Sequence, residues 1–167
     1  MSATESFFDQ DEMHPIDIVE TIASTQQWEF DRAHDNQITM MVTGQWRTYG
    51  VSLAWSGQYE TLRLVCSFDL EPPEHRRAEL FEALNAANDR CWTGSFSFWE
   101  DQDLMVFRYA LLLTGGHYAS SQQIDAMIST AIMSAEKFYP AFQLVTWGEK
   151  DVNAAMQVAI AEAYGHA

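Results

Sequence analysis

Residues 61–90 read TLRLVCSFDLEPPEHRRAELFEALNAANDR, and this stretch decides the fold. Leu62, Leu64, Cys66, Phe68 and Leu70 alternate with Thr61, Arg63, Val65, Ser67 and Asp69, the period of a strand with one face on a core. Pro72 and Pro73 end that strand and preset the first turn of a helix. Glu74 then falls at the positive end of the helix dipole. Leu80, Phe81, Leu84, Ala87 and Cys91 recur at helical spacing, which predicts a helix with one apolar face.

Upstream of this unit, Pro15 opens a short helix with Ile16, Val19, Ile22 and Ala23 on one stripe. Trp28 and Phe30 begin a strand, and His34, Asp35 and Asn36 signal a turn. Ile38, Met40 and Val42 alternate through a second strand, and Tyr49, Val51, Leu53 and Trp55 through a third. Short connections between them predict an antiparallel meander. Downstream, Gly94 restarts extended structure, with Phe96 and Phe98 directed to the core. Residues 104–113 are apolar on both faces apart from Arg108, which suits a central strand or a subunit contact. Ser120 and Ser121 are candidate N-caps of a long helix that Pro140 is expected to kink or end. Gly148 stops that segment, and Asp151 caps a last helix carrying Val152, Ala155, Met156, Ala159 and Ile160. The fold class is α+β, an antiparallel sheet with helices mainly on one face.

Composition restricts the partners. Nine basic against 24 acidic residues give 9 − 24 = −15 at pH 7, a field that repels phosphate backbones and anionic lipid. Neither nucleic acid nor a membrane is therefore expected as a partner. No apolar run reaches membrane-spanning length and residues 1–10 lack a signal-peptide pattern, so a cytoplasmic protein is expected. Cys66 and Cys91 read as buried small hydrophobes rather than a disulfide framework. Residues 1–13, with Glu5, Asp9, Asp11 and Glu12, read as an acidic flexible arm, and 14–167 as one domain.

The chemistry-bearing residue types do not form a site in the sequence. His14, His34, His75, His117 and His166 are scattered, with no second His or Cys at ligand spacing. Asp9, Asp11, Glu12 and His14 fit no calcium loop and read as a solvated tail. Gly115 and Gly116 precede a helix without a P-loop lysine, and read as a turn. Glu71 and Glu74 read as helix N-terminal charges. No metal, cofactor or catalytic residue is expected. Trp46, Trp55, Trp92 and Trp147 are expected to pack in the core. Trp99 is the exception, because it points opposite to Phe96 and Phe98, with Ser95 and Ser97. Arg108 lies on the minority face of its strand, where a carboxylate, for example one across a dimer, would satisfy it. Trp99, Arg108, Ser95 and Ser97 are thus the candidate partner or dimer surface.

The order of elements, with Trp28-Glu29-Phe30-Asp31-Arg32, Gln37-Ile38-Thr39, Phe107-Arg108-Tyr109-Ala110-Leu111-Leu112-Leu113, Phe138-Tyr139-Pro140-Ala141-Phe142-Gln143 and Trp147-Gly148, resembles the YbjN family of bacterial sensory-transduction regulators. The resemblance covers nearly all of the chain after the arm. It implies a fold similar to type III secretion chaperones, acidic α+β proteins that commonly dimerise and hold unfolded segments of partners. It brings no catalytic residues. The resulting expectation is a non-enzymatic, homodimeric module that binds an apolar segment of a partner protein. The alternative is an enzyme or small-ligand protein with a pocket between the sheet and the C-terminal helices.

Overall fold

The structure is a computed structural model and describes residues 13–165. The acidic arm lies outside the described residues except for Met13. Helix α1 spans Pro15–Thr25 and is followed by strands β1 (Glu29–His34), β2 (Gln37–Thr43), β3 (Thr48–Ser56) and β4 (Thr61–Asp69). A 3-10 turn, Glu74–Arg76, leads into α2 (Arg77–Asn88). Strands β5 (Ser95–Trp99) and β6 (Leu104–Leu112), then helices α3 (Ser121–Thr146) and α4 (Val152–Gly165), complete the fold. The six strands form one antiparallel sheet in the order β1-β2-β3-β4-β6-β5.

Strand alternation puts one side chain set on the core. Ile38, Met40, Val42, Tyr49, Val51, Leu53, Leu62, Leu64, Cys66, Phe68, Met105 and Phe107 are buried beneath the helices. Phe96 stacks edge-on against Phe107, Phe138 and Phe142 at centroid distances of 5.0–5.6 Å. These contacts join β5 and β6 to α3, so aromatic rings fill the space between the sheet and α3. Burial pushes the Cys66 thiol up to about 12.

Long-range polar contacts lock the helices onto the sheet. Arg32 on β1 donates to Asp17 at 2.6 Å and Glu20 at 3.0 Å on α1. Arg76 donates to the carbonyls of Val145 and Lys150, both at 2.8 Å, and so holds the α3–α4 turn. Glu136 on α3 accepts from the backbone N–H of Gln45 at 2.9 Å and from the Tyr49 hydroxyl at 2.5 Å. Burial, then the adjacent Glu136 carboxylate, raises the Tyr49 phenol above its ordinary value. Gly44 leaves room at this turn, since a Cβ there would crowd the Glu136 carboxylate and the Tyr49 ring.

Several expectations change. Helix α2 begins at Arg77, after the 3-10 turn, and its apolar stripe is Leu80, Ala83, Leu84 and Ala87. Phe81 is exposed and leans on Phe98 at 6.4 Å, while Cys91 lies past the helix end. Helix α3 runs through Pro140 to Thr146. Proline there removes one intrahelical bond, but Phe138, Ala141, Phe142 and Val145 stay buried around it, and that packing outweighs the loss. Ser120 caps α3 with a reciprocal Gln123 capping box, and Asp151 Oδ1 accepts from Ala154 N–H at 2.9 Å. The tryptophans depart most from expectation. Trp92 is 96% exposed, and Trp46 and Trp147 are also exposed, because all three lie in connections rather than on the buried faces.

Candidate functional site

All the helix–sheet packing is on one face, and the opposite face of the sheet is open. Strand pairing sets its side chains in rows. One row runs Asp31, Thr39, Ser52, Val65, Arg108, Ser95, and the next runs Glu29, Met41, Gly50, Ser67, Val106, Ser97. A third places Gln37, Ala54, Arg63 and Ala110 side by side, and at the far end Asp69, Leu104 and Trp99 are neighbours. Small side chains in the middle of β3 leave a shallow concavity of about 920 Å³, bounded by Arg63, Arg108, Trp99 and Leu104.

The four residues singled out in the sequence, Trp99, Arg108, Ser95 and Ser97, all lie on this open face. Trp99 is 38% exposed and Leu112, on the same face of β6, is 72% exposed, whereas Val106 between them is buried. The sequence expectation missed Arg63. It pairs with Ala110 while Arg108 pairs with Val65, so the two arginines are diagonal neighbours, roughly 7–8 Å apart at the backbone. The alternation already put Arg63 on the minority face of β4. Its neighbour was hidden because β6 pairs with β4 past the intervening β5.

The electrostatics of this pair differ from those of four other arginines, while Arg90 donates to the Ala86 carbonyl. Arg32, Arg47, Arg76 and Arg77 each have a carboxylate partner within 4 Å. Among the described residues Arg63 and Arg108 have none, and both are exposed. Around them stand hydroxyls already engaged with one another or with backbone. Thr39 Oγ1 lies 3.0 Å from Ser52 Oγ, and Ser67 donates to the Gly50 carbonyl at 3.4 Å.

The sheet edges are closed to strand addition in two ways. Asn88, the last residue of α2, accepts from Phe96 N–H at 2.6 Å and donates to the Phe96 carbonyl at 3.0 Å. Its carboxamide takes the place of a seventh strand at the outer edge of β5. The β1 edge carries Glu29, Asp31, Arg32 and His34, charges that discourage pairing. The open face is the larger uncovered surface of the sheet.

Comparison with known proteins agrees with this architecture. A family model described as "YbjN: Putative bacterial sensory transduction regulator" matches residues 15–144, from the start of α1 to the last turn of α3. The chain belongs to the YbjN family. The α4 helix, with Trp147 and Gly148 before it, follows the matched segment of this YbjN-family protein. A chain in the crystal structure of the ExsC–ExsE complex superimposes with a TM-score of 0.56 at 15% identity, over 78% of this chain and 92% of that one. YbjN from E. coli, described as "a putative transcription regulator", gives 0.50 at 12% identity, over 71% and 83%. The fold is α+β and type III secretion chaperone-like. No curated protein matches at a significant level. Among the described residues of this YbjN-family chain, no helix is long and apolar enough to cross a membrane.

Proposed function

We propose that this YbjN-family protein is a non-catalytic, protein-binding regulatory module that holds an apolar segment of a partner on its open sheet face. The observation that carries this reading is the one-sided packing of the helices, which leaves Trp99 and Leu112 exposed and Leu104 half-buried on that face. Tryptophan supplies a large contact area at low entropic cost, the profile of an interface anchor. Acidic surroundings steer basic flanks of the partner toward the face. The alternative, a ligand pocket between the sheet and the C-terminal helices, is less well supported, because Phe96, Phe107, Phe138 and Phe142 occupy that space. Homodimerisation belongs to the same proposal. Exposed apolar side chains away from the open face support it, Met133 on α3 at 71% exposure among them.

A photo-crosslinking amino acid at Ser97, on the open face, or at Met133, on α3, tests the first part. Ser97 should capture a specific partner in native lysate and Met133 should not, and Trp99→Ala should weaken capture at Ser97 by about 2 kcal/mol. Equal capture at both positions, or none at Ser97, refutes the docking face. Light scattering over a dilution series tests the dimer, and a monomer at micromolar concentration refutes it.

A further inference from the structure

Among the described residues Arg63 and Arg108 have no carboxylate partner, in a chain with 24 acidic residues and a net charge of −15. The fold supplies carboxylates to Arg32, Arg47, Arg76 and Arg77, yet the middle of the open face offers these two only hydroxyls and small side chains. These two like charges sit on diagonal neighbours of one face, with no carboxylate between them among the described residues. Two arginines on diagonal neighbours of one face can together receive a carboxylate through charge-assisted hydrogen bonds.

We infer that the partner segment is acidic at its centre: it places a carboxylate between Arg63 and Arg108 and an apolar side chain against Trp99 and Leu104. This rests on the proposal that the open face is the docking surface, and it adds the chemistry of the occupant. Leu104 lies four residues from Arg108 on β6, a span of about 13 Å. An extended segment lying along β6 therefore carries its apolar anchor about four residues from its acid. Charge also fixes where that acid sits. Shifted toward β1 it would face Glu29 and Asp31, and shifted along β4 it would face Asp69, so only the centre of the face attracts it. A second copy laid face to face about an axis through the arginine pair would oppose four like charges, which favours a different protein as the occupant we infer.

The test uses the full-length protein and synthetic ten-residue peptides of serine and threonine, with glutamate at the third position and leucine at the seventh. Companion peptides carry glutamine for the glutamate or serine for the leucine. Nuclear magnetic resonance follows the side chain Nε–H signals of Arg63 and Arg108 and the indole N–H of Trp99. The glutamate peptide is expected to shift all three and to bind at least tenfold tighter than the glutamine peptide. Arg108→Gln and Arg63→Gln should each abolish that preference while leaving the thermal midpoint unchanged, since both side chains are exposed. Equal binding of the glutamate and glutamine peptides overturns the acidic occupant and leaves the docking face standing. If no peptide moves any of these signals, both proposals fall. Signals that move on dilution of the protein alone make the occupant a second copy, which also overturns the inference.

Discussion

Glu136 is the side chain through which α3 holds the β2–β3 turn, and replacing it exposes how much that contact is worth. Its carboxylate accepts the hydroxyl of Tyr49, a residue with no exposed surface, and two N–H groups of the exposed turn at Gln45 and Trp46. A hydrogen bond to a charged acceptor contributes about 1.5–3 kcal/mol, and a buried hydroxyl left without a partner costs about 1–3 kcal/mol. Water substitutes for the carboxylate at the exposed turn, so those two bonds add less. Glu136→Ala is therefore expected to destabilise the fold by about 2–4 kcal/mol. Tyr49→Phe should cost about 1–2 kcal/mol, because it removes the bond without stranding a buried donor. The two changes share one interaction, so the double variant should fall short of their sum by about 2 kcal/mol. Urea unfolding of the four proteins measures this directly. For a domain of this size the Glu136→Ala loss corresponds to a fall in Tm of roughly 4–16 °C. A coupling below about 0.5 kcal/mol would refute the reasoning, since the hydroxyl would then be equally well served by water.

Alkaline pH should weaken the fold through the same region. Cys66 and Tyr49 have raised folded-state values, so above their ordinary values of 9.0 and 10.0 the unfolded chain loses protons that the folded chain keeps. Their stabilisation is fully present below about pH 9 and falls by up to about 1.4 kcal/mol per pH unit per group above it. Tyr49→Phe should flatten the fall above about pH 10 in urea midpoints, and an unchanged slope would sink the assignment. Asn88→Ala removes both hydrogen bonds that close the β5 edge and should cost about 2 kcal/mol. It should also raise light scattering through edge pairing; a variant as stable and monodisperse as the parent would show that the edge needs no cover.

Most of the framework was legible in the sequence because it is local. The β4 strand declares itself by alternation and runs over Thr61–Asp69, and the serine at position 120 caps the long helix as its chemistry predicts. What escaped depends on contacts between distant segments. The reach of α3 past Pro140 is set by Phe138, Ala141 and Phe142 packing into the core, which no local propensity reports. The exposure of Trp92 follows from its place in the connection between α2 and β5, outside any alternating face. On the open face, Trp99, Ser95, Ser97 and Arg108 could be grouped from parity along two neighbouring strands. Arg63 could not, since its proximity to Arg108 requires knowing that β6 lies against β4.

The carboxamide of Asn88 also has a consequence for the order in which the chain assembles. Asn88 and Phe96 are eight residues apart, whereas the nearest pairing of β4 with β6 joins Asp69 to Leu104 across 104 − 69 = 35 residues. Closing the longer loop costs about 1.3 kcal/mol more in chain entropy. The segment from α2 through β6 can therefore form as a local unit before β4 and β6 pair, with Phe96 of β5 already bonded on its outer side. During that interval the inner edge of β6, the edge that β4 fills, is open along its length. That unit thus offers β4 a single edge on which to pair.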